Sequence, residues 1–338
     1  MNNAWSRRDL GASLLAAGAG IVLGNGAGGT AALAASLPET TTIRLPKGLG
    51  ICVAPLYAAE AALRLEGFTK PEFVRTGTGV TIIEMVARGE LDLAQSTVPT
   101  LVYELAHGRP IVCLAGVHSG CYELFVHGDI ATVGELRGKR VAIQAQGALA
   151  QYYLSAMAAY VGLDPQADID WRVPEGETAL ELFAKGGADA FMAFAPEPQK
   201  LRARGVGRVI LNTATDRPWS QYFCCMIYGN PDWVRHHPIA TKRAIRAFLK
   251  TVTWCAADPA AVARHLVAEG FAADEAFAAE ALAEIPFTRW HEFDVEDSMR
   301  FYALRLHEAG LVTMTPQQII AEGADWRHFE ELKRELRV

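Results

Sequence analysis

The sequence predicts a two-lobed α/β protein, in which each lobe is a mostly parallel β-sheet flanked by helices and a ligand cleft lies between the lobes. Three observations lead to this prediction. Short apolar strands alternate with amphipathic helices, the segment Arg75–Pro99 recurs as Arg172–Pro196, and the chain from Pro231 onward has a helical pattern. Alternation of strands and helices favours a parallel sheet that is covered on both faces.

Composition sets the outer limits of this prediction. The chain has 338 residues, of which 51% are hydrophobic, which is enough for a large core and about two domains. Its formal net charge is -6, and no basic block is present. A nucleic-acid partner and docking to a membrane through basic residues are therefore excluded. Six cysteines in a chain of this length do not form a disulfide scaffold.

Residues 1–34 are predicted to be a signal peptide. Arg7 and Arg8 precede an apolar stretch over residues 10–23, and Ala32-Leu33-Ala34 fits a cleavage site. The paired arginines favour the twin-arginine export route. A Sec signal remains the alternative, because Gly11 stands where twin-arginine signals normally have a second large apolar residue. The apolar stretch is short for a membrane span, which needs ~20 residues. The mature protein is expected to be soluble and periplasmic.

The internal repeat is the strongest pattern in the mature chain. At a constant offset of 97 residues, the two segments share eight identical positions. These pairs are Arg75/Arg172, Gly79/Gly176, Thr81/Thr178, Glu84/Glu181, Ala87/Ala184, Gly89/Gly186, Asp92/Asp189 and Pro99/Pro196. Gly89 and Gly186 are placed to end a helix, and Pro99 and Pro196 are placed to begin one. Each copy therefore predicts one α/β lobe.

The order of elements assigns the chain to these lobes. Residues 41–117 and 222–338 are predicted to form lobe one, and residues 118–221 form lobe two. The crossings near 118–122 and 216–222 form a hinge, and a strand at Tyr222–Tyr228 returns the chain to lobe one. Helices are predicted from Pro55 to just before Gly67 and over Ile239–Ala256, Pro259–Glu269, Ala273–Ala283, Val295–Ala309 and Trp326–Leu336.

A ligand is expected at the carboxyl ends of the strands, where α/β sheets bind their ligands. The loops predicted there are small, polar and nearly uncharged, so several helix N-termini could hold an anion without many basic side chains. The candidate ligand-binding residues are Cys52, Val53, Thr78, Ser96, Thr97, His118, Cys121, Gln144, Gln146, Gly147, Ala148, Glu197, Trp219 and Tyr222.

Several candidates have alternative structural roles. Ser96, Thr97 and Gln146 could simply cap helices, Trp219 and Tyr222 could pack in the core, and His118 could be a hydrogen-bonded structural residue. Glu197 either complements the dipole of its helix or, if it faces the cleft, binds a cationic or amine part of a ligand.

No catalytic, metal or cofactor site is predicted. The G-x-S-x-G and C-x-x-C motifs are absent, and the nine histidines are scattered. Cys224 and Cys225 are neighbours in a predicted strand, so their side chains are expected on opposite faces. Six buried free thiols are favoured, and Cys52–Cys121 is the first pair to test for a disulfide.

Motifs in order along the mature chain resemble the solute-binding components of ABC importers. They include Pro55-Leu56-Tyr57-Ala58-Ala59-Glu60, Gly89-Glu90-Leu91-Asp92-Leu93-Ala94, Leu136-Arg137-Gly138-Lys139-Arg140-Val141-Ala142 and Gly162-Leu163-Asp164-Pro165. The nitrate/sulfonate/taurine-binding family, which also includes binders of a thiamine pyrimidine precursor, is the most similar. The resemblance implies the type II periplasmic binding-protein fold with hinge closure, and delivery of the ligand to a membrane permease.

The predicted function is therefore that of a monomeric, non-enzymatic solute-binding protein. Its ligand is expected to be a small organic anion, such as a sulfonate or carboxylate, with an apolar or aromatic body. One alternative is a pyrimidine-precursor binding protein or a synthase-like enzyme on the same fold. Phe223-Cys224-Cys225 resembles part of a cysteine-rich motif of fungal pyrimidine-synthesising proteins, but the rest of that motif is absent. A sensor that binds a receptor instead of a permease is a third possibility.

Overall fold

The computed structural model describes residues 37–48, 50–75 and 80–336. The predicted signal peptide and the candidate residue Thr78 lie outside the described residues. Within them, none of the helices is both long and apolar enough to span a membrane.

The described residues form ten β-strands and fourteen α-helices. The strands are β1 Thr42–Lys47, β2 Lys70–Arg75, β3 Leu93–Thr97, β4 Val112–Ser119, β5 Tyr122–Val126, β6 Arg140–Ala142, β7 Asp170–Arg172, β8 Ala190–Phe194, β9 Arg208–Asn212 and β10 Phe223–Gly229. The helices are α1 Ala54–Tyr57, α2 Glu60–Leu65, α3 Ile82–Ala87, α4 Val98–Ala106, α5 Leu149–Tyr160, α6 Ala179–Ala184, α7 Glu197–Ala203, α8 Pro231–His236, α9 Pro238–Ala257, α10 Pro259–Ala268, α11 Glu275–Glu284, α12 Val295–Glu308, α13 Pro316–Gly323 and α14 Arg327–Glu335.

The strands build two sheets of the same topology. Sheet I contains the parallel pair β2-β1 and the group β3-β10-β4, and the backbone N–H of Asp92 joins the two by donating to the carbonyl of Arg44 at 2.9 Å. Sheet II has the order β7-β6-β8-β5-β9. In sheet II, β5 is antiparallel to its neighbours β8 and β9, while β6 is parallel to β7 and β8. In sheet I, β10 is likewise antiparallel to its neighbours β3 and β4. The predicted α/β class with mostly parallel sheets is confirmed.

The internal repeat places one copy in each sheet and conserves a specific interaction. In sheet I, the Asp92 carboxylate accepts hydrogen bonds from the backbone N–H of Arg44 at 2.7 Å and from its guanidinium. In sheet II, the Asp189 carboxylate accepts from the backbone N–H of Arg140 at 2.9 Å and from its Nη2 at 2.7 Å. We call these two arrangements the Arg–Asp forks. Each fork fixes the start of one strand against its parallel neighbour.

The chain crosses between the sheets twice. It leaves sheet I after β4 through Gly120 and Cys121, and it returns from β9 to β10 over residues 213–222. Gly120 has a φ of 48°, and a Cβ built on it would lie 2.2 Å from the Cα of Ala214. The two crossings are therefore in direct backbone contact, which only glycine permits here.

Five of the seven helices after β10 match the predicted segments to within two residues at each end, whereas no bounds were predicted for α8 and α13. The helix predicted from Pro55 to Gly67 is wrong as a single element, since the structure divides it into α1 and α2. The break arises where Ala59 donates its N–H to Leu56, an i→i+3 bond, so the α-helical ladder is interrupted. The long helix α9 packs against α1 and α2, which follow β1 of sheet I, whereas α12 packs against both α4 and α5 and so contacts both halves.

Candidate ligand cleft and thiol–imidazole cluster

Four helices that follow the carboxyl ends of strands begin without side-chain caps. The N-caps of α1, α4, α5 and α7 are Val53, Thr97, Ala148 and Pro196, and none of their side chains accepts a hydrogen bond from a backbone N–H of the helix. Two other helices also follow carboxyl ends, those of the edge strands β2 and β7, and these are capped, α3 by Thr81 and α6 by Thr178. Uncapped N-termini leave backbone N–H groups available to a ligand.

On sheet I, the predicted site residues lie at the end of β3 and in the turn before α1. Ser96 and Thr97 are buried, and the Thr97 hydroxyl pairs with the Thr100 hydroxyl at 2.8 Å instead of capping α4. Gln95 donates from Nε2 to the carbonyl of Cys52 at 2.9 Å, which ties the turn to β3. The structure therefore brings the β3 end and the Cys52 turn together.

On sheet II, the predicted loop before α5 is exposed. Gln144, Gln146 and Gly147 are exposed and Ala148 is half-buried. Gln151 of α5 holds the loop, because its Oε1 accepts from the N–H of Gly147 at 2.6 Å and its Nε2 donates to Gln146 at 3.0 Å. The capping role considered for Gln146 is not observed, since Ala148 is the N-cap residue.

Glu197 begins α7 and turns its carboxylate back to the end of β8. Its Oε2 accepts a hydrogen bond from the N–H of Phe194 at 3.1 Å. Burial raises the pKa of Glu197 to about 7, against the lowering effect of the bonds from Phe194 and Gln144. Near neutral pH this group can therefore act as a donor or an acceptor.

Trp219 and Tyr222 lie together in an aromatic cluster. Tyr222 stacks on Phe301 with ring centroids 4.0 Å apart, and Trp219 meets the same ring edge-on at 5.5 Å. Tyr302 of the same helix makes a 2.6 Å hydroxyl–hydroxyl hydrogen bond with Tyr153. These contacts are those of the core-packing alternative, and no ligand position is needed to explain them.

Four buried side chains near the crossings form a donor group that we call the Cys3His cluster: Cys52, His118, Cys121 and Cys225. One donor atom from each lies within 4.8 Å of the others. A fifth residue, Cys224, has its sulfur 3.4 Å from that of Cys121 and 3.8 Å from that of Cys225. Three of the four cluster residues were predicted as site residues, and Cys225 was not.

The imidazole of His118 is fully buried at the end of β4. Its Nδ1 pairs with the carbonyl of Ser119 at 3.2 Å, whereas Nε2 has no hydrogen-bond partner. Burial lowers the pKa of His118, but negative charge on Cys225 outweighs it and raises the pKa to about 10. The pKa of Cys224 falls to about 6, because hydrogen bonds from Cys121 and Cys225 overcome the effect of burial. A hydrogen bond from Cys121 also lowers the pKa of Cys225, so without a metal the cluster favours a Cys225 thiolate beside the His118 imidazolium.

This cluster corrects the expectation that metal-ligating residues are not grouped. Strand alternation predicted Cys224 and Cys225 on opposite faces, but the β10–β4 register shifts at Cys225, where a β-bulge interrupts the alternation. The same pairing sets Cys225 opposite His118. The spacing His118-x-x-Cys121 was the available sequence signal. All six cysteines are buried and outside disulfides, as favoured from the sequence.

Comparisons with known proteins agree with this architecture. A model of the NMT1/THI5-like family matches residues 72–262. No curated protein matches the chain. The structure is similar to the alkanesulfonate-binding protein SsuA of Xanthomonas axonopodis pv. citri bound to MOPS, with 18% identity, a TM-score of 0.65, and 82% of this chain and 96% of that chain covered.

Two further similar structures are a binding protein and an enzyme. The periplasmic nitrate-binding protein NrtA of Synechocystis PCC 6803 has 16% identity and a TM-score of 0.69, with 90% of this chain and 91% of that chain covered. The desulfurization enzyme DSZB has 13% identity and a TM-score of 0.55, with 88% of this chain and 99% of that chain covered. The predicted resemblance to nitrate- and sulfonate-binding proteins is confirmed, and at these identities it establishes the fold.

Proposed function

Because the chain belongs to the NMT1/THI5-like family, we propose that it is the exported solute-binding component of an ABC importer. It clasps a small organic anion between two lobes and delivers it to a membrane permease from the periplasm. The lobes correspond to sheet I with the C-terminal helices and to sheet II, with the two crossings as the hinge.

The observation that carries the anion proposal is the distribution of helix caps. α4 and α5 start without a side-chain cap and follow strands of different sheets, β3 and β6. The N-terminus of a helix carries about half a positive charge, which favours an anion without a basic side chain. Sulfonate and carboxylate groups have several acceptor oxygens and can bond to more than one such N–H group.

Contacts between the two halves support closure around the solute. Arg202 of α7 bonds to Glu284 of α11 at 2.6 Å and to Glu280 at 3.1 Å, while its other nitrogen bonds to Glu123 at 2.6 Å. Gln199 donates to Glu284 at 2.7 Å. These contacts join sheet II to the C-terminal helices, and opening of the cleft would break them. A ligand that binds only the closed state shifts this equilibrium towards closure.

Calorimetric titration of the purified, metal-free protein tests the proposal. We expect saturable binding of at least one anion from a panel of alkyl and aryl sulfonates, carboxylates and nitrate. Binding of neutral heterocycles alone, without any anion, would reject the anion assignment.

The variant Ala148→Asp makes this test specific to a helix N-terminus. The extended backbone of Ala148 suits an N-cap, so aspartate should stabilise α5 by ~1 kcal/mol while placing a negative charge where the anion would bind. We expect higher stability and lost anion binding, a combination that misfolding cannot produce. Ala148→Asn is the matched control, because it caps without charge and should retain more binding. Equal anion affinity in wild type and Ala148→Asp would contradict the proposed location.

The Cys3His cluster favours a second candidate, a synthase-like enzyme or pyrimidine-precursor binding protein on the same fold. Cys225, whose thiol pKa is lowered, lies opposite His118, and such a thiol beside an imidazole is a recurrent arrangement in nucleophilic catalysis. Turnover of a pyrimidine precursor, or a tightly held cofactor that absorbs in the near ultraviolet, would establish this candidate. Reversible binding of an unchanged solute would favour the transport role.

A further inference from the structure

We propose that the Cys3His cluster is a tetrahedral binding site for a thiophilic divalent cation, Zn²⁺ in the first place. The four donors come from the turn before α1, the end of β4, the first crossing and β10. A bound ion would therefore join the first crossing to sheet I. The inference is independent of which solute occupies the cleft.

The spacing of the donors suits a tetrahedral ion. With Zn–S bonds of about 2.3 Å and Zn–N bonds of about 2.0 Å, donors on a tetrahedron lie about 3.5–3.8 Å apart. The four donor atoms already lie within 4.8 Å of one another. Small side-chain adjustments would therefore complete the site. The set contains sulfur and nitrogen only, which selects against Mg²⁺ and Ca²⁺, both of which prefer oxygen ligands.

His118 provides the second, independent observation. The Ser119 carbonyl can accept a hydrogen bond from Nδ1–H and so fix the tautomer in which Nε2 presents a lone pair. That Nε2 is buried and without a partner. Buried polar atoms normally have a partner, and metal-ligating histidines typically donate their other N–H to a carbonyl or carboxylate. A cation bound to Nε2 would give this atom a partner, and the bond from Nδ1 to the Ser119 carbonyl would then be the usual outer contact of a metal-ligating histidine.

Access and outer contacts are also present. Cys52 and Cys121 retain 8% and 9% exposure, whereas His118 has none, so the cluster is reached from the side of Cys121. A crevice at that side is lined by Gly120, Cys121 and Ala214 among others. When the ion binds, the cluster loses three protons to solvent in total, from its thiols and from the imidazolium where that is protonated, and the complex carries one net negative charge. The thiol of Cys224 is placed to donate to the Cys121 sulfur and so stabilise that charge.

Cobalt titration of the reduced, metal-free full chain tests the site. We expect one equivalent of Co²⁺ to give the intense visible bands and near-ultraviolet charge transfer of a tetrahedral thiolate site, and one equivalent of Zn²⁺ to abolish them. Cys121→Ser and Cys225→Ser should each weaken binding more than about 100-fold, because even outer partners contribute 10–100-fold. Cys113→Ser and Cys255→Ser are matched controls at buried cysteines outside the cluster and should bind normally.

Several results would overturn the proposal, and the wild-type spectrum keeps it testable even if a variant fails to fold. A weak octahedral Co²⁺ spectrum, equal losses in the cluster and control variants, or binding of Cu⁺ without Co²⁺ or Zn²⁺ would each exclude it. So would a Cys121–Cys224 disulfide in protein isolated from the periplasm under non-reducing conditions. Anion titration of metal-free protein separates failure of this site from failure of the proposed transport role.

Discussion

The Arg–Asp forks allow a prediction with an internal comparison, because the same interaction occurs at two depths of burial. The Asp92 side chain is 3% exposed, whereas that of Asp189 is 29% exposed. Each carboxylate accepts from a backbone N–H and from a guanidinium. We therefore compare Asp92→Asn with Asp189→Asn. Asparagine keeps the shape and one acceptor, but it removes the charge and turns an N–H group towards arginine.

Burial decides the size of each loss. The buried Asp92 carboxylate accepts hydrogen bonds from a backbone N–H and from a guanidinium, and each hydrogen bond to a charged group contributes about 1.5–3 kcal/mol. We expect Asp92→Asn to lower the free energy of unfolding by about 3–4 kcal/mol. Exposed pairs contribute about 0–1 kcal/mol, and a hydrogen bond to a charged group about 1.5–3 kcal/mol. For Asp189→Asn we therefore expect a loss of about 1–2 kcal/mol.

Urea denaturation of the purified protein measures both losses by linear extrapolation. Asp232→Asn is the control, because the Arg235–Asp232 pair is exposed at both side chains and should change stability by less than about 0.5 kcal/mol. Equal losses at Asp92 and Asp189, or a larger loss at Asp189, would refute the argument from burial.

The pH dependence provides a second readout for the sheet II fork. The hydrogen bond from Arg140 lowers the pKa of Asp189 below its ordinary value of 3.8. A lowered carboxyl pKa stabilises the folded state above the unfolded pKa, and this contribution is lost as pH falls through the folded pKa. The stability difference between wild type and Asp189→Asn should therefore narrow below pH 3.8. A difference that stays constant into strong acid would contradict this assignment.

Three further perturbations test other parts of the structure. Gly120→Ala should destabilise the protein more than Gly128→Ala. Both glycines have a positive φ, which costs alanine about 1–2 kcal/mol, but only at Gly120 would the new Cβ collide with the backbone of the other crossing, which adds about 1–3 kcal/mol. Similar urea midpoints for the two variants would contradict this. Relative to Glu197→Gln, the wild type should lose stability as pH rises from 4.5 to about 7, since the carboxyl ionises first in the unfolded chain. If the difference in unfolding free energy between the two proteins does not change over this range, the pKa of Glu197 is not raised in the folded state. Tyr302→Phe should lower the free energy of unfolding by about 1 kcal/mol. The double variant with Tyr153→Phe should lose less than the sum of the two single variants, because both hydroxyls belong to the same 2.6 Å hydrogen bond. Additive losses in a double-mutant cycle would contradict this coupling.

The sequence predicted well those elements whose signals are local. The helices α9 to α12 are bounded by proline, aspartate or glycine, and their predicted ends agree with the structure to within two residues. Gly89 and Gly186 have φ values of 71° and 76°, the left-handed conformation predicted from the repeat. The Arg44 and Arg140 partners of the repeated aspartates were not predicted, because strand pairing depends on contacts far apart in sequence.

The candidate site was predicted less completely, for two physical reasons. Its central cluster joins Cys52 to residues more than sixty positions away, and neither periodicity nor composition reports such proximity. Strand alternation also fails at a β-bulge, which is why Cys225 was missed. The cap pattern could only be expected in outline, because a side-chain rotation decides whether the Thr97 hydroxyl accepts from a backbone N–H of α4 or pairs with the Thr100 hydroxyl.

The return of one strand to sheet I has a consequence for how the chain can be divided. The five strands of sheet II lie in one continuous segment from β5 to β9, whereas β10 follows that segment yet lies between β3 and β4 of sheet I. A fragment that ends after β4 would therefore lack an interior strand, leaving two open edges facing a vacant slot. Such a fragment should be insoluble alone and should regain structure only when the segment from β10 onward is supplied.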